Sequence, residues 1–174
     1  DEKDVNLDIA LRLAILLEEK GYGVLMTRES DSIPEGMEPD DRGLYVLDPY
    51  ERCDMANKAG VDLFISIHCN SLPADPSVRG AQLYYTKSHA MGNDRYAELL
   101  ADCIKNSFGM GPEVVVNPEN DSYVVNRLVN APSVLVETGF ITNAEEAGLM
   151  LTEAWRQQMA EALAEGIVMF LSTN

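Results

Sequence analysis

Three residues far apart in this sequence have the chemical types of a hydrolytic metal site: His68, Glu137 and Glu2. One imidazole and two carboxylates can between them hold a metal ion and leave a carboxylate free to move a proton. Each residue has a plainer reading when taken alone. A lone histidine is more often a buried ring satisfied by backbone groups. Glu137 can cap a turn or pair with an arginine. Glu2 stands in the run Asp1-Glu2-Lys3-Asp4, where the dipole of a helix start favours acids without any further role. Only convergence on one rim of the fold turns the three into a site.

The elements that must bring them together are legible in outline. Val61 to Asn70 is a short run dense in β-branched and large side chains, bounded by Gly60 and by Ser71-Leu72-Pro73, and reads as a central strand. Alternation puts Leu63, Ile65, Ile67 and Cys69 on one face and Phe64, Ser66, His68 and Asn70 on the other, which turns polar toward its carboxyl end. Open α/β sheets keep their sites at that end. Val134-Leu135-Val136 reads as a second buried strand that delivers Glu137-Thr138-Gly139-Phe140. Val5, Ile9, Leu13 and Leu16 recur at helical spacing up to Gly21, so Glu2 begins a helix.

Between these segments helix and strand patterns alternate. Tyr22 to Thr27 reads as a strand, Ser32 to Pro49 as a long surface loop, Tyr50 to Ala59 as a helix closing on Gly60, and Ala81 to Thr86 as a strand. Tyr96, Leu99, Leu100, Cys103 and Ser107 mark a helix. Val114 to Arg127 is ambiguous, with β-type runs at Val114-Val115-Val116 and Tyr123-Val124-Val125. Thr142 and Glu145 have the spacing of a capping box for a short helix, and Trp155, Met159, Leu163, Ile167 and Phe170 trace the stripe of the last one. The alternation predicts an α/β fold, a mostly parallel, mixed sheet covered by helices on both faces. Val24, Leu63, Ile65, Ile67, Val134 and Val136 are expected to be buried in neighbouring strands, with His68 and Glu137 at one rim.

Composition narrows the partners. A chain of 174 residues with 46% apolar content is one domain with a substantial core. Thirteen Lys plus Arg against 29 Asp plus Glu give a formal charge of −16, which repels nucleic acid and anionic membrane surfaces. No apolar run is long enough for a membrane span. The charged start is unlike a signal peptide and carries no initiator Met, as in a processed or trimmed chain. Cys53, Cys69 and Cys103 match neither a disulfide framework nor a zinc ribbon and read as small core residues.

Five blocks in order carry a resemblance over almost the whole chain. They are Glu2-Lys3-Asp4-Val5-Asn6-Leu7, Thr27-Arg28-Glu29-Ser30-Asp31, Arg52 with Ala56-Asn57, Ser66-Ile67-His68-Cys69-Asn70, and Val136-Glu137-Thr138-Gly139-Phe140-Ile141-Thr142-Asn143. Together they resemble the zinc-dependent N-acetylmuramoyl-L-alanine amidases of the Amidase_3 type, with their amidase/phosphorylase-hydrolase-like fold. The resemblance implies one zinc per complete domain, with Glu2 and His68 as two ligands and Glu137 as the catalytic residue. It also implies cleavage of the amide between the lactyl group of N-acetylmuramic acid and the L-Ala of the peptidoglycan stem. The expected setting is a secreted monomer in the cell wall or periplasm, with the Ser32 to Pro49 loop as one wall of an open groove. Substrate-binding residues are not assigned.

One part of the family pattern is missing. The third zinc ligand of the family, the His of a His-Gly-Gly segment, has no counterpart here, so residues 1–174 are expected to be a catalytic domain truncated at its N-terminus. His89, the other histidine, follows a strand and a lysine in a polar loop and makes a poor substitute. This chain by itself is therefore expected to bind zinc weakly and to be inactive. Ser71 to Gly80 is too short for the autoinhibitory helix of some relatives. Two alternatives stay open: a cell-wall-binding module that keeps the fold without hydrolysis, and a different metallohydrolase, which needs another ligand.

Overall fold

Val5, Ile9, Leu13 and Leu17 form the buried stripe of helix α1 (Glu2–Glu18), and the chain leaves it through Gly21, whose φ of 87° suits glycine. The structure, a computed structural model, describes residues 1–31, 48–87, 91–109, 113–119 and 122–173. Helix α2 (Pro49–Ala59) starts on a capping box in which the Asp48 carboxylate and Glu51 answer each other, and it stops at Gly60 in the left-handed conformation. Strand β1 (Phe64–Asn70) follows, then β2 (Gln82–Thr86), α3 (Asn93–Phe108), β3 (Val115–Glu119), α4 (Val124–Leu128), β4 (Ser133–Phe140), α5 (Ala144–Met150) and α6 (Glu153–Leu171).

The four strands lie in the order β1-β4-β2-β3. β1 runs parallel to β4 and β2 parallel to β3, while β2 and β4 are antiparallel, so the sheet is mixed, as expected. One face, carrying Leu63, Ile65, Ile67, Leu83, Val134 and Val136, packs against α1, α3 and α6. The other face, carrying Phe64, Tyr84 and Leu135, packs against α2 and α4. Helices therefore cover both faces, and the alternation read from Val61 to Asn70 assigns the sides of β1 correctly. The three cysteines are free and buried, as their spacing suggested.

Four local expectations change. β1 lies at the edge of the sheet among the described residues, not at its centre, and most of it is only half-buried. Tyr22 to Thr27 is not a strand: Tyr22 and Val24 pack against the core and Leu25 is 49% exposed, but no described strand offers it hydrogen bonds, without which a strand does not exist. Tyr123-Val124-Val125 leads into α4, where Val125 and Asn126 are buried against the second face, so tertiary burial overrides β propensity there. The cap of α5 is Asn143, whose side chain accepts from the backbone of Glu145 and Glu146; the Thr142 hydroxyl instead accepts from Leu72 N–H at 3.0 Å. Most of the expected Ser32 to Pro49 loop, and His89, lie outside the described residues.

The segment 71–80 is fastened to α5. Asn143 Nδ2 donates to Pro76 O, Arg79 pairs with Glu145 at 2.9 Å, and the buried Glu146 carboxylate accepts from Gly80 N–H at 2.9 Å and Phe140 N–H at 2.8 Å. Gly80 has no room for a side chain, because a Cβ there falls 1.9 Å from Glu113 O. These bonds fix the carboxyl end of β4 and the entry to β2.

Candidate active site

His68 and Glu137 are direct partners across β1 and β4. Both stand on the face of α2 and α4, because His68 shares its side of β1 with Phe64 and Glu137 shares its side of β4 with Leu135. Antiparallel β2 then sets Gln82 opposite Glu137. The result is a polar row across three strands, His68, Glu137, Gln82. The two residues expected at one rim thus stand side by side, although each strand continues past them, to Asn70 and Phe140.

Glu2 enters from the first turn of α1. Its Oε1 lies 3.5 Å from His68 Nδ1 and accepts from Asn6 Nδ2 at 3.2 Å and from Cys69 N–H at 3.3 Å. The register shift between His68 and Asn70 disturbs the β1/β4 ladder there, and Glu2 takes up the Cys69 N–H. Two further ties hold the start of α1: Arg28 donates to Lys3 O at 2.6 Å, and Lys3 pairs with Asp31. The Glu2 and His68 side chains remain 40% and 43% exposed, so they face an opening.

Burial lowers the pKa of His68, with a smaller push from the Arg52 cation, and these outweigh the opposite pull of Glu2. The ring is therefore neutral near pH 7 and keeps a lone pair. Ser66 Oγ sits 3.0 Å from Nε2 and steadies the ring from its far side. Glu137 is shifted the other way: burial first, then the neighbouring Glu2 charge, raise its pKa from 4.5 to about 7. Its Oε2 is enclosed with no hydrogen-bond partner. An enclosed, unpartnered carboxylate oxygen is costly and marks a place where another group belongs.

The spacing of Glu2 Oε1 and His68 Nδ1 suits a metal better than a hydrogen bond. Two donors each about 2.1 Å from a tetrahedral zinc lie about 3.4 Å apart, whereas a charge-assisted hydrogen bond closes to about 2.8 Å. The observed 3.5 Å matches the first. Among the described residues no group of three His, Cys, Asp or Glu completes a ligand set. The spacing of these two donors fits the ion.

The pattern of the Amidase_3 family, N-acetylmuramoyl-L-alanine amidase, matches residues 1–169. The chain belongs to this amidase family. It is 31% identical over 181 residues to the germination-specific N-acetylmuramoyl-L-alanine amidase of Bacillus subtilis, covering 98% of this chain and 71% of that one. To the amidase AmiA of Escherichia coli it is 29% identical, covering 97% and 68%. Among solved structures, the N-acetylmuramoyl-L-alanine amidase of Clostridium difficile 630 superposes with a TM-score of 0.85 at 26% identity, over 99% of this chain and 85% of that one. Ami1 of Mycobacterium smegmatis gives 0.85 at 26%, over 100% and 78%.

The amidase fold adds residues that sequence reasoning left unassigned. Ser66 and Asn70 share the His68 face by alternation, which is a signal the sequence does carry. Gln82 and Tyr84 join them only through the β2/β4 register, which no local pattern reveals. In this amidase no described helix is long and apolar enough to cross a membrane.

Proposed function

We propose that this protein is a peptidoglycan hydrolase that cleaves the amide between N-acetylmuramic acid and the L-Ala of the stem peptide, with Glu137 as the proton-transferring group. The observation that carries the reading is Glu137 itself, with an enclosed and unpartnered Oε2 in the row beside His68 and a pKa near 7. Glu2 Oε1 and His68 Nδ1 would hold a zinc ion, together with a third ligand from outside the described residues. Such an ion, when bound, supplies Lewis acidity toward an amide carbonyl and toward water.

The chain's own residues do the rest. Ser66 accepts the Nε2 proton of His68, which leaves the Nδ1 lone pair facing the side of Glu2, where it would hold the ion. Asn6 and the Cys69 N–H orient the Glu2 carboxylate. Glu137, unprotonated, takes a proton from water as its oxygen adds to the amide carbon, then returns that proton to the leaving nitrogen as the C–N bond breaks. The products are the lactyl carboxylic acid and the free amine of L-Ala. A pKa near neutrality serves both steps, because a general base that must later act as an acid works best close to the operating pH. Peptidoglycan as substrate puts the site of action at the cell wall or in the periplasm.

Incubation of purified peptidoglycan with the full zinc-loaded protein, the third ligand included, should release alanine amino groups in step with lactyl carboxyl ends. Glu137→Gln should lower that rate by at least about 10²-fold and leave zinc affinity intact by calorimetry. Glu2→Gln and His68→Ala should weaken zinc binding itself. A Glu137→Gln protein with an undiminished rate removes Glu137 from the mechanism.

A further inference from the structure

The carboxamide of Gln82 is oriented by a chain of bonds that begins at a donor of fixed identity. Ser71 N–H, a backbone group, donates to Asn70 Oδ1 at 2.8 Å. Asn70 therefore turns its Nδ2 the other way, and it donates to Gln82 at 3.0 Å. The Gln82 atom it meets must be the oxygen. Tyr84 OH reaches the same Oε1 at 2.6 Å, and Tyr84 is itself braced, its ring against Tyr123 with centroids 5.1 Å apart and its carbonyl accepting from Asn126 Nδ2. An amide oxygen has two lone pairs, and both are now used. What remains is the NH2 group, which has no partner among the described residues and is not among the enclosed atoms. It belongs to the residue directly opposite Glu137, where facing side chains begin about 5 Å apart.

We propose that Gln82 is a substrate-binding residue whose Nε2 donates to a carbonyl or carboxylate oxygen of the muramoyl peptide and sets the scissile amide beside Glu137. The proposal rests on the amidase reading above and adds a residue to it. A group with two donors and no acceptor selects an oxygen of the substrate and rejects an ammonium. The muramoyl peptide offers such oxygens on both sides of the cleaved bond. The plainer role, a bridge between Asn70 and Tyr84, uses only the oxygen and leaves the presented nitrogen without purpose.

Three variants separate these roles, assayed in the full zinc-loaded protein with N-acetylmuramoyl-L-alanyl-D-isoglutamine as probe. Gln82→Met removes the donor and should raise KM about tenfold while kcat stays within about threefold, as for a bond made equally in ground and transition states. Gln82→Glu keeps an oxygen for Asn70 and Tyr84 but presents no donor to the substrate, so its KM should rise at least as much. Asn70→Asp reverses the relay: the Gln82 NH2 turns toward the new carboxylate, and KM should rise although residue 82 is unchanged. Wild-type KM in Gln82→Met or Gln82→Glu, with the wild-type protein active, overturns the Gln82 proposal alone. A wild-type protein that leaves the muramoyl–alanine amide intact overturns the amidase reading and this proposal together.

Discussion

The two faces of the sheet are made from the same strands and end in opposite conditions. Under α1, α3 and α6, helices of 17, 16 and 19 residues, Leu83, Val134 and Val136 are fully buried. Under α2 and α4, of 11 and 5 residues, cover extends over Phe64, Tyr84 and Leu135, and the row of His68, Glu137 and Gln82 lies beyond them. A long helix with a continuous apolar stripe seals whatever strand length it crosses, whereas a short one leaves the strand ends to solvent. The site is thus a product of helix length on one side as much as of the polar residues themselves. One face supplies stability, and the other is left free to hold groups that stability alone would not choose.

That division can be broken most directly by truncation. Leu163, fully buried in α6, should cost about 2–5 kcal/mol when replaced by Ala, while Ser66→Ala on the open face should change stability by no more than about 0.5 kcal/mol. Equal losses in chemical denaturation would show that the open face carries as much of the fold as the sealed one. A smaller effect is expected at Gly166, where α6 meets α3 so closely that a Cβ falls 2.9 Å from Leu100 Cδ2 and 3.0 Å from its Cα. Gly166→Val must push the helices apart and should lose about 1–3 kcal/mol, with no effect on binding at the polar row.

The smallest effect sharpens the comparison from the open side. The folded protein holds the Glu137 proton more tightly than the unfolded chain does, with a pKa of about 7 against 4.5. Its contribution to stability in the metal-free protein is therefore full below 4.5 and lost as the pH rises through about 7. Glu137→Gln carries no such dependence. The variant should melt level with wild type in acid and a few degrees above it in mild alkali. A difference that grows toward acid instead would show that Glu137 is stabilised as the carboxylate.

The sequence was most informative where a periodicity and a burial requirement coincide. Alternation in Val61 to Asn70 assigned every side chain of β1 to its face, because one face must be apolar throughout to meet α1, α3 and α6. Placing two such strands in one sheet put His68 and Glu137 at one rim, while their direct pairing came only with the β1/β4 register. What failed was of another kind. Tyr22 to Thr27 has the composition of a strand, but a strand is a relation between segments, and the described partner is missing. Tyr123 to Val125 leads into α4 because burial of Val125 against the second face outweighs β propensity. Thr142 lost the cap to Asn143 by one residue, the usual margin of error at helix ends. Gln82 was out of reach for the deepest reason: its importance lies in a register between β2 and β4, far apart in the chain, and in a relay that starts from the backbone of Ser71.

The three buried thiols give the molecule built-in clocks. Burial pushes Cys69 and Cys103 up to about 11 and raises Cys53 as well, so almost none of the reactive thiolate exists at neutral pH while the fold is closed. A thiol reagent can then read only the moments when each site opens. Cys103 and Cys69 both stand in the core under the sealed face and Cys53 in α2 under the open one, while Cys69 also lies beside Asn6, next to the carboxylate of Glu2. Labelling rates followed cysteine by cysteine should rank Cys103 slowest. A muramoyl peptide bound along the polar row should slow Cys69 and leave Cys103 at its own pace, so the traffic of substrate at the site becomes visible as the silence of a single sulfur.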